Sequence, residues 1–247
     1  MSVASVMASA MPVPQMVMKQ GYRELRIEIA RDLERRRTNL LDVNPDRPFI
    51  KGSSTEDISS SIAALSKQAI DTSYASLSIV AMKKAARLLL ESRRIAYYAI
   101  GDSCASCEVF AQLLYKVGIV CSNGMPKGDY GVFERTLDPR DLAIVVSHSG
   151  TLFSNHARTF EVMRASGCKT IVITANANLR EQLMGTDCLF ILPQGEERTE
   201  RLATFYSQEC IRYVLNCIYA KTFNINYQQN LTRWQQNIAL AQDSEAL

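Results

Sequence analysis

The strongest constraint on the fold is a series of short apolar segments that alternate with helical segments in the second half of the chain. The apolar segments cover residues 95–100, 119–121, 141–146, 170–174 and 188–192. Their apolar residues run on without alternating with polar ones, which is typical of strands buried on both faces. Strands that alternate with helices favour a parallel sheet with right-handed connections. The sequence therefore predicts an α/β fold, a three-layer sandwich with helices on both faces of the sheet.

Helical patterns account for most of the remaining chain. Between the strands, helices are expected over residues 103–117 and from Ser154 as a possible N-cap to a stop at Gly167, and after the last strand a helix is expected over 199–223. Ahead of the sheet, helices are expected over 19–37, after a capping box of Ser53 with Glu56, and over 77–91. The helix after the capping box is expected to turn four apolar residues inward: Ile58, Ile62, Leu65 and Ile70.

Composition and charge exclude several classes of protein. A hydrophobic fraction of 47% and a charged fraction of 21% are ordinary for a globular chain, and a net charge of +3 does not indicate a nucleic-acid or membrane coat. No apolar run reaches the roughly 20 residues that span a bilayer. The first basic residue is Lys19, so the charged start of a signal peptide is missing. We expect a cytoplasmic protein with reduced cysteines and neither metal nor cofactor.

The turn from Ser147 to Thr151 is the best candidate for a binding site. It follows a predicted strand, precedes a predicted helix, and carries three hydroxyls, on Ser147, Ser149 and Thr151. Gly150 lets the backbone turn closely and expose its amides, and a helix start adds partial positive charge. These features predict a phosphate site that needs no metal and no cluster of Lys and Arg. The alternative is a polar loop whose serines cap the helix.

A second turn follows the first predicted strand. It runs from Gly101 to Ser106, and Ser103 and Ser106 offer further hydroxyls. Ligands of such sheets bind beyond the carboxyl ends of the strands where the strand order reverses, so the two turns are expected to lie side by side. Asp102 in this turn would repel a phosphate if it faced inward. It is expected either to cap the helix or to bind sugar hydroxyls.

Other residues allow sharper interpretations beside plain structural ones. Cys104 and Cys107 form a CxxC at a helix start, where a helix dipole lowers a thiol pKa, but they are also two small residues under a phosphate turn. His148 and His156 are the candidates for a catalytic base, although either is also compatible with a structural role. Arg35 to Arg37 are expected to be a solvated helix end, with contact to nucleic acid as the alternative. Glu196, Glu197 and Glu200 are expected to be solvated surface, with hydrogen bonds to sugar hydroxyls as the alternative.

The two turns resemble those of the sugar isomerase (SIS) domain family. The resemblance lies in residues 99–103 (AIGDS) and 146–151 (VSHSGT), and the segment 195–207 looks like that family's last strand-to-helix connection. It implies a five-stranded parallel, flavodoxin-like sheet, a homodimer or tetramer, and a phosphorylated sugar or amino sugar as ligand. It also implies that the phosphate contacts are Ser103, Ser147, Ser149 and Thr151, with Ser106 as a further candidate.

The whole chain is more specifically similar to RpiR-type transcription regulators, which join an N-terminal helix-turn-helix domain to a SIS domain. Residues 20–33 look like the last helix of that DNA-binding domain. The family has a longer segment upstream, so the resemblance implies a helix-turn-helix domain that is incomplete here. The expected boundaries are a helix-turn-helix remnant and linker over 1–48, a helical linker over 49–92, the SIS domain over 93–223 and a helical tail over 224–247.

Three functions follow from this resemblance. The leading expectation is the phosphosugar sensor of an RpiR-like regulator, which is not an enzyme and reaches DNA only through its incomplete domain. The alternative is a ketose–aldose phosphosugar isomerase, which needs a base beside the sugar C1 or C2. The third is a dimerising remnant that pairs with full-length relatives.

Overall fold

A five-stranded parallel sheet forms the centre of the computed structural model, which describes residues 43–125 and 133–245. The strands are β1 (Ile95–Tyr98), β2 (Cys121–Asn123), β3 (Leu142–Val146), β4 (Lys169–Thr174) and β5 (Cys188–Ile191), in the spatial order β2-β1-β3-β4-β5. Every neighbouring pair is parallel. The predicted fold class is thereby confirmed. The expected helix over 19–37, with Arg35 to Arg37, lies outside the described residues.

Seven described helices surround the sheet. They are α1 (Thr55–Ser76), α2 (Ile79–Glu91), α3 (Asp102–Lys116), α4 (Thr151–Asn155), α5 (Ala157–Ser166), α6 (Phe205–Ile225) and α7 (Tyr227–Glu245). None of these described helices is both long and apolar enough to cross a membrane. Short 3-10 helices cover Glu134–Thr136 and Ala177–Leu179.

The two faces of the sheet are buried under different helices. On one face, alternate strand residues such as Tyr98, Val145 and Val172 pack with Leu152 of α4 and Met163 of α5. The opposite layer is built by α3 and α6, which contact each other, while α2 lies against β5 and α1 packs on α6. Because both faces are covered, the central strands β1 and β3 are buried at every position, as their unbroken apolar sequences predicted.

The start of α1 differs from the predicted capping box. Its N-cap is Ser54, whose Oγ accepts a hydrogen bond from the Asp57 N–H at 3.1 Å, whereas the Ser53 Oγ accepts one from the Ile50 N–H. The buried face includes the expected Leu65, together with Ala69 and Ser73. Ile70, which was expected to point inward, has 39% of its surface exposed, and Ala69 is fully buried instead.

Three further boundaries differ from the sequence-based expectations. The helix after the Ser147–Thr151 turn is broken at His156, where φ is −128° and ψ is 39°. Ser154 is not its N-cap, because it lies inside α4 and its Oγ donates to the Thr151 carbonyl at 3.0 Å. The helix expected from residue 199 begins only at Phe205, and β2 lies two residues later than expected. Gly167 ends α5 at φ 71°, as predicted.

Candidate anion-binding site

The strand order reverses between β1 and β3, and the two predicted turns leave the sheet at this point. Tyr98 and Val145 are paired in the register of these strands, so the turns after them share one edge of the sheet. Residues from both turns line one cavity of about 350 Å³: Gly101, Asp102, Ser103, Ser147, Ser149 and Thr151. The expectation that the two turns lie side by side is confirmed.

Gly150 gives the Ser147–Thr151 turn its shape. Its φ is +77°, in the left-handed region that glycine adopts without strain. A Cβ at this position would lie 2.5 Å from the Leu179 Cδ1 and 3.1 Å from the Asn176 Nδ2. The same Asn176 side chain donates a hydrogen bond to the Ser149 carbonyl at 3.2 Å. The turn is therefore held closely against the loop that follows β4, and only glycine fits at its centre.

The three hydroxyls of this turn have different partners. The Ser149 Oγ and the Thr151 Oγ1 are 3.0 Å apart and share a hydrogen bond. Ser147 is buried, and its Oγ accepts a hydrogen bond from the Leu152 N–H at 3.3 Å. A hydroxyl that accepts one hydrogen bond still has its own proton to donate. Ser147 thus has the local role that the polar-loop alternative expected, and it can also donate to a ligand.

The helix start beyond this turn contributes less than the sequence suggested. Because the break at His156 limits α4 to the five residues Thr151–Asn155, few aligned peptide dipoles point at the turn. The start of α4 therefore adds little positive potential at this edge of the sheet, where α3 and α6 also begin, and positive charge comes from side chains as well.

Arg198 and Arg201 supply that positive charge, and sequence reasoning missed both. They lie in the loop between β5 and α6 and line the same cavity as the serine turns. The Arg201 Nη1 donates to the Glu196 Oε2 at 3.1 Å, which fixes its guanidinium. The sequence-based prediction was of a site that needs no cluster of Lys and Arg, yet two arginines line its cavity. The available signal was the position of this segment, because it follows a strand of the same parallel sheet and must emerge at the same edge.

Glu196 holds this arginine loop to the start of α6. Its Oε1 accepts from the backbone N–H of Tyr206 at 2.6 Å and of Ser207 at 3.1 Å, and its Oε2 accepts from the Ser207 hydroxyl at 2.6 Å. Its carboxylate is fully buried. The expectation of a solvated acidic loop is wrong for Glu196, whose carboxylate caps the helix, although Glu197 and Glu200 are exposed.

The Gly101–Ser106 turn contributes less than the sequence suggested. Ser103 is half-buried and lines the cavity. Asp102 neither caps α3 nor is free, because it accepts a hydrogen bond from the Thr204 Oγ1 at 2.7 Å. The Ser106 Oγ donates to the Gln208 Oε1 at 2.5 Å, in a separate groove between α3 and α6. The structure does not bring Ser106 to the cavity.

His148 lies between the two serines but is buried. Burial lowers the pKa of its imidazole, and Glu196 opposes this shift. In the described part of the chain its Nε2 has no hydrogen-bond partner. Its carbonyl accepts from the Ala175 N–H at 2.9 Å, which ties the turn to β4. The other histidine, His156, lies at the break between α4 and α5.

The CxxC pair does not have the low thiol pKa that its position suggested. Burial, followed by the neighbouring Glu108 carboxylate, raises the pKa of Cys104. Burial raises the pKa of Cys107 well above its ordinary value. Both residues are free thiols. This corrects the expected effect of the helix dipole and argues against the redox alternative, because the thiolate is the reactive form.

The fold and the cavity define a class: an α/β protein with a cavity lined by hydroxyls and arginines where its strand order reverses. Within this class, residues 88–208 match the model of the SIS domain family. The prediction made from the two turns is confirmed at that level. Among the described residues, no group of His, Cys, Asp and Glu has the arrangement of a metal site.

Solved structures with this fold include regulators and isomerase-like proteins. The chain is similar to the Vibrio vulnificus NanR protein complexed with ManNAc-6P (13% identity, 89% of this chain and 75% of that one, TM-score 0.64). It is also similar to the sugar isomerase domain of an RpiR transcription factor from Sphaerobacter thermophilus (13% identity, 72% of this chain and 96% of that one, TM-score 0.60). A third similar structure is a putative phosphosugar isomerase involved in capsule formation from Bacteroides fragilis (16% identity, 73% of this chain and 97% of that one, TM-score 0.61). No curated protein sequence matches the chain.

Proposed function

We propose that the SIS domain is a sensor that binds a phosphorylated sugar or amino sugar, as part of an RpiR-like transcription regulator. The observation that carries this proposal is the shared cavity, in which serine and threonine hydroxyls face the same space as Arg198 and Arg201. Hydroxyl donors and guanidinium groups together are the chemistry that recognises a phosphate dianion.

The site has room for a sugar beside the phosphate. A second cavity of about 220 Å³ adjoins the first and shares His148, Ser149, Arg198 and Arg201 with it. Its remaining wall includes the side-chain amides of Asn176, Asn178 and Gln194 and the carboxylates of Glu196 and Glu197. Amides both donate and accept hydrogen bonds, so they suit the hydroxyl or acetamido groups of a sugar. We assign the phosphate to the serine turns and the sugar to the amide-lined side.

Sensing is favoured over catalysis because two of the acids near the cavities, Glu196 and Asp102, already have partners, although the exposed Glu197 also lines the amide-lined side. Both oxygens of Glu196 accept hydrogen bonds from the start of α6, and Asp102 accepts one from Thr204. An isomerase needs a base that reaches a proton on the sugar carbon. A ketose–aldose isomerase remains the second candidate, since Asp102 and His148 both line the cavity.

In this proposal the protein acts in the cytoplasm as a homodimer or tetramer. DNA contact falls to the N-terminal region over residues 1–48, and residues 49–92 serve as the linker.

Two experiments test the proposal. Thermal-shift measurements against hexose phosphates, amino-sugar phosphates and N-acetylmuramate phosphate should identify a stabilising ligand, while the same unphosphorylated sugars should not stabilise. Each binder is then incubated with the protein and followed by NMR. Unchanged sugar supports the sensor, whereas turnover to the ketose or aldose isomer contradicts it and establishes the enzyme.

A further inference from the structure

The segment just before α1 is hydrogen-bonded to the loop that carries the two arginines. The Asp46 Oδ1 accepts from the Glu197 N–H at 2.7 Å, and the Asp46 carbonyl accepts from the Leu202 N–H at 2.9 Å. One residue therefore holds both ends of the six-residue stretch 197–202, and Arg198 and Arg201 lie between those two bonds.

Asp46 is itself held in a defined conformation. The Asn44 Oδ1 accepts from the Asp46 N–H at 2.9 Å, and the Asn44 carbonyl accepts from the Arg47 N–H at 3.2 Å. Pro48 is buried, and the Phe49 ring lies 6.4 Å from the Phe205 ring at the start of α6. Residues 44–49, the docked linker, are therefore seated on the SIS domain by both polar and aromatic contacts.

The arginine loop has few supports of its own. The Glu197 carbonyl accepts from the N–H groups of Glu200 and Arg201 at 3.0 and 3.1 Å, which closes a single turn. Glu197, Arg198 and Glu200 are exposed. Because an exposed single turn has little intrinsic stability, its position over the cavity depends on the Glu196 and Asp46 contacts.

We infer that Asp46 is a positioning residue for the anion site, and that ligand binding and linker docking strengthen each other. This inference rests on the proposed function. A ligand that contacts Arg198 or Arg201 favours the ordered loop, and the ordered loop offers Asp46 its two partners. Since coupling free energies are reciprocal, the docked linker raises ligand affinity by the same factor by which ligand favours docking.

The consequence concerns the rest of the chain. The docked linker connects the SIS domain to residues 1–43. A ligand in the cavity would thus affect the chain ahead of the SIS domain in two steps. The ligand orders the arginine loop, and the ordered loop holds the docked linker through the Asp46 hydrogen bonds.

A charge effect predicts the opposite result, which makes the inference testable. If Asp46 acted only through its negative charge, it would repel a bound anion, and both Asp46→Ala and Asp46→Asn would tighten binding. If it acts by positioning, Asp46→Asn keeps an oxygen that can accept from Glu197 and should resemble the wild type. Asp46→Ala loses that acceptor and should bind more weakly.

The probe is inorganic phosphate, titrated at constant ionic strength into the full chain and followed by thermal stabilisation. We expect Asp46→Ala to weaken binding roughly 3- to 10-fold, the equivalent of one net hydrogen bond, and Asp46→Asn to stay within about 2-fold of wild type. Asn44→Ala, which loosens the same segment, should weaken binding in the same direction. Asp71→Ala, on the exposed surface of α1, is the charge-matched control and should have no effect.

Hydrogen exchange separates this inference from the proposed function. Phosphate should slow amide exchange in residues 44–50 of the wild type but not of Asp46→Ala, and Asp46→Ala should speed exchange over 197–202 even without phosphate. If the wild type binds phosphate while all Asp46 variants bind equally or more tightly, the inference is wrong and the proposed function stands. If the wild type binds no phosphate, the proposed function fails and the coupling fails with it.

Discussion

The Ser149 Oγ and the Thr151 Oγ1 lie 3.0 Å apart and share one hydrogen bond in the wall of the cavity. Because either hydroxyl can be the donor, the pair can turn both protons outward when an acceptor arrives. A phosphate oxygen between them would exchange one neutral hydrogen bond for two charge-assisted ones, which are stronger. This pair is therefore the part of the site that should respond most directly to a bound phosphate.

Gly150→Ala should lower the free energy of unfolding by more than the cost of a left-handed φ, because the new Cβ would also contact Leu179. Adopting φ +77° costs a non-glycine residue about 1–2 kcal/mol, and the contact with Leu179 adds an overpacking cost of about 1–3 kcal/mol. Chemical denaturation measures the sum. Gly185→Ala is the control, because Gly185 has φ +93° but nothing within 4 Å of its Cβ position. Equal losses in the two variants would show that the close approach to Leu179 does not matter.

Glu196→Gln should affect both stability and ligand binding. The substitution removes the charge that pairs with Arg201 and turns one accepting oxygen into a donor facing buried N–H groups. We expect a loss of about 1–3 kcal/mol in the free energy of unfolding, together with weaker phosphate binding. The exposed Glu200→Gln should change the unfolding free energy by less than about 0.5 kcal/mol. Unaltered stability of Glu196→Gln would refute the capping role.

Asp141 should make the free energy of unfolding depend on pH in the acid range. Its carboxyl is fully buried, which alone would raise its pKa, but hydrogen bonds from Arg94 and Arg93 outweigh burial and hold the pKa far below the usual value. A lowered folded pKa gives stability that is present above the unfolded pKa of about 3.9 and is lost as pH falls toward the folded pKa. Urea unfolding should show that Asp141→Asn is less stable than wild type at pH 7. The gap should narrow steadily below about pH 4, and a gap that widened in acid would contradict this assignment.

Cys104 and Cys107 should be slow to react. Because burial raises the pKa of both thiols, little thiolate is present at neutral pH. Alkylation by iodoacetamide at pH 7, read by mass spectrometry, should be slower at Cys104 than for an unstructured cysteine peptide. Cys104→Ser should leave phosphate binding unchanged. Loss of ligand binding on mild oxidation, rescued by Cys104→Ser, would restore the redox interpretation.

The sequence was sufficient for the sheet and for the side-by-side position of the two turns. Buried parallel strands leave an unbroken apolar run, as in residues 142–146, and the rule on strand-order reversal then places the turns that follow. The role of Gly150 was predictable because a close turn between a strand and a helix favours a residue without a side chain. These features depend on local sequence alone.

The rest depended on contacts between distant parts of the chain. The Arg201 side chain is held by Glu196, and the loop backbone on either side of the two arginines is held by Asp46, which lies 151 residues before Glu197 in the sequence. Nothing in the sequence of the loop indicates that Glu196 turns inward to cap α6 and delays the helix start to Phe205. Ser106 resembled a ligand contact by sequence position, but its rotation around α3 directs it to Gln208 instead.

The most direct test of the central claim compares a stabilising sugar phosphate with its unphosphorylated sugar in the wild type, Ser149→Ala and Ser154→Ala. Ser154 is the matched control, because its exposed hydroxyl donates to the Thr151 carbonyl away from the cavity wall. We predict that the wild type prefers the phosphorylated sugar, that Ser149→Ala loses roughly 1–3 kcal/mol of that binding free energy, and that Ser154→Ala loses none. Equal binding of the two sugars by the wild type, or equal affinity for the phosphate in all three proteins, would contradict a phosphate site at this turn.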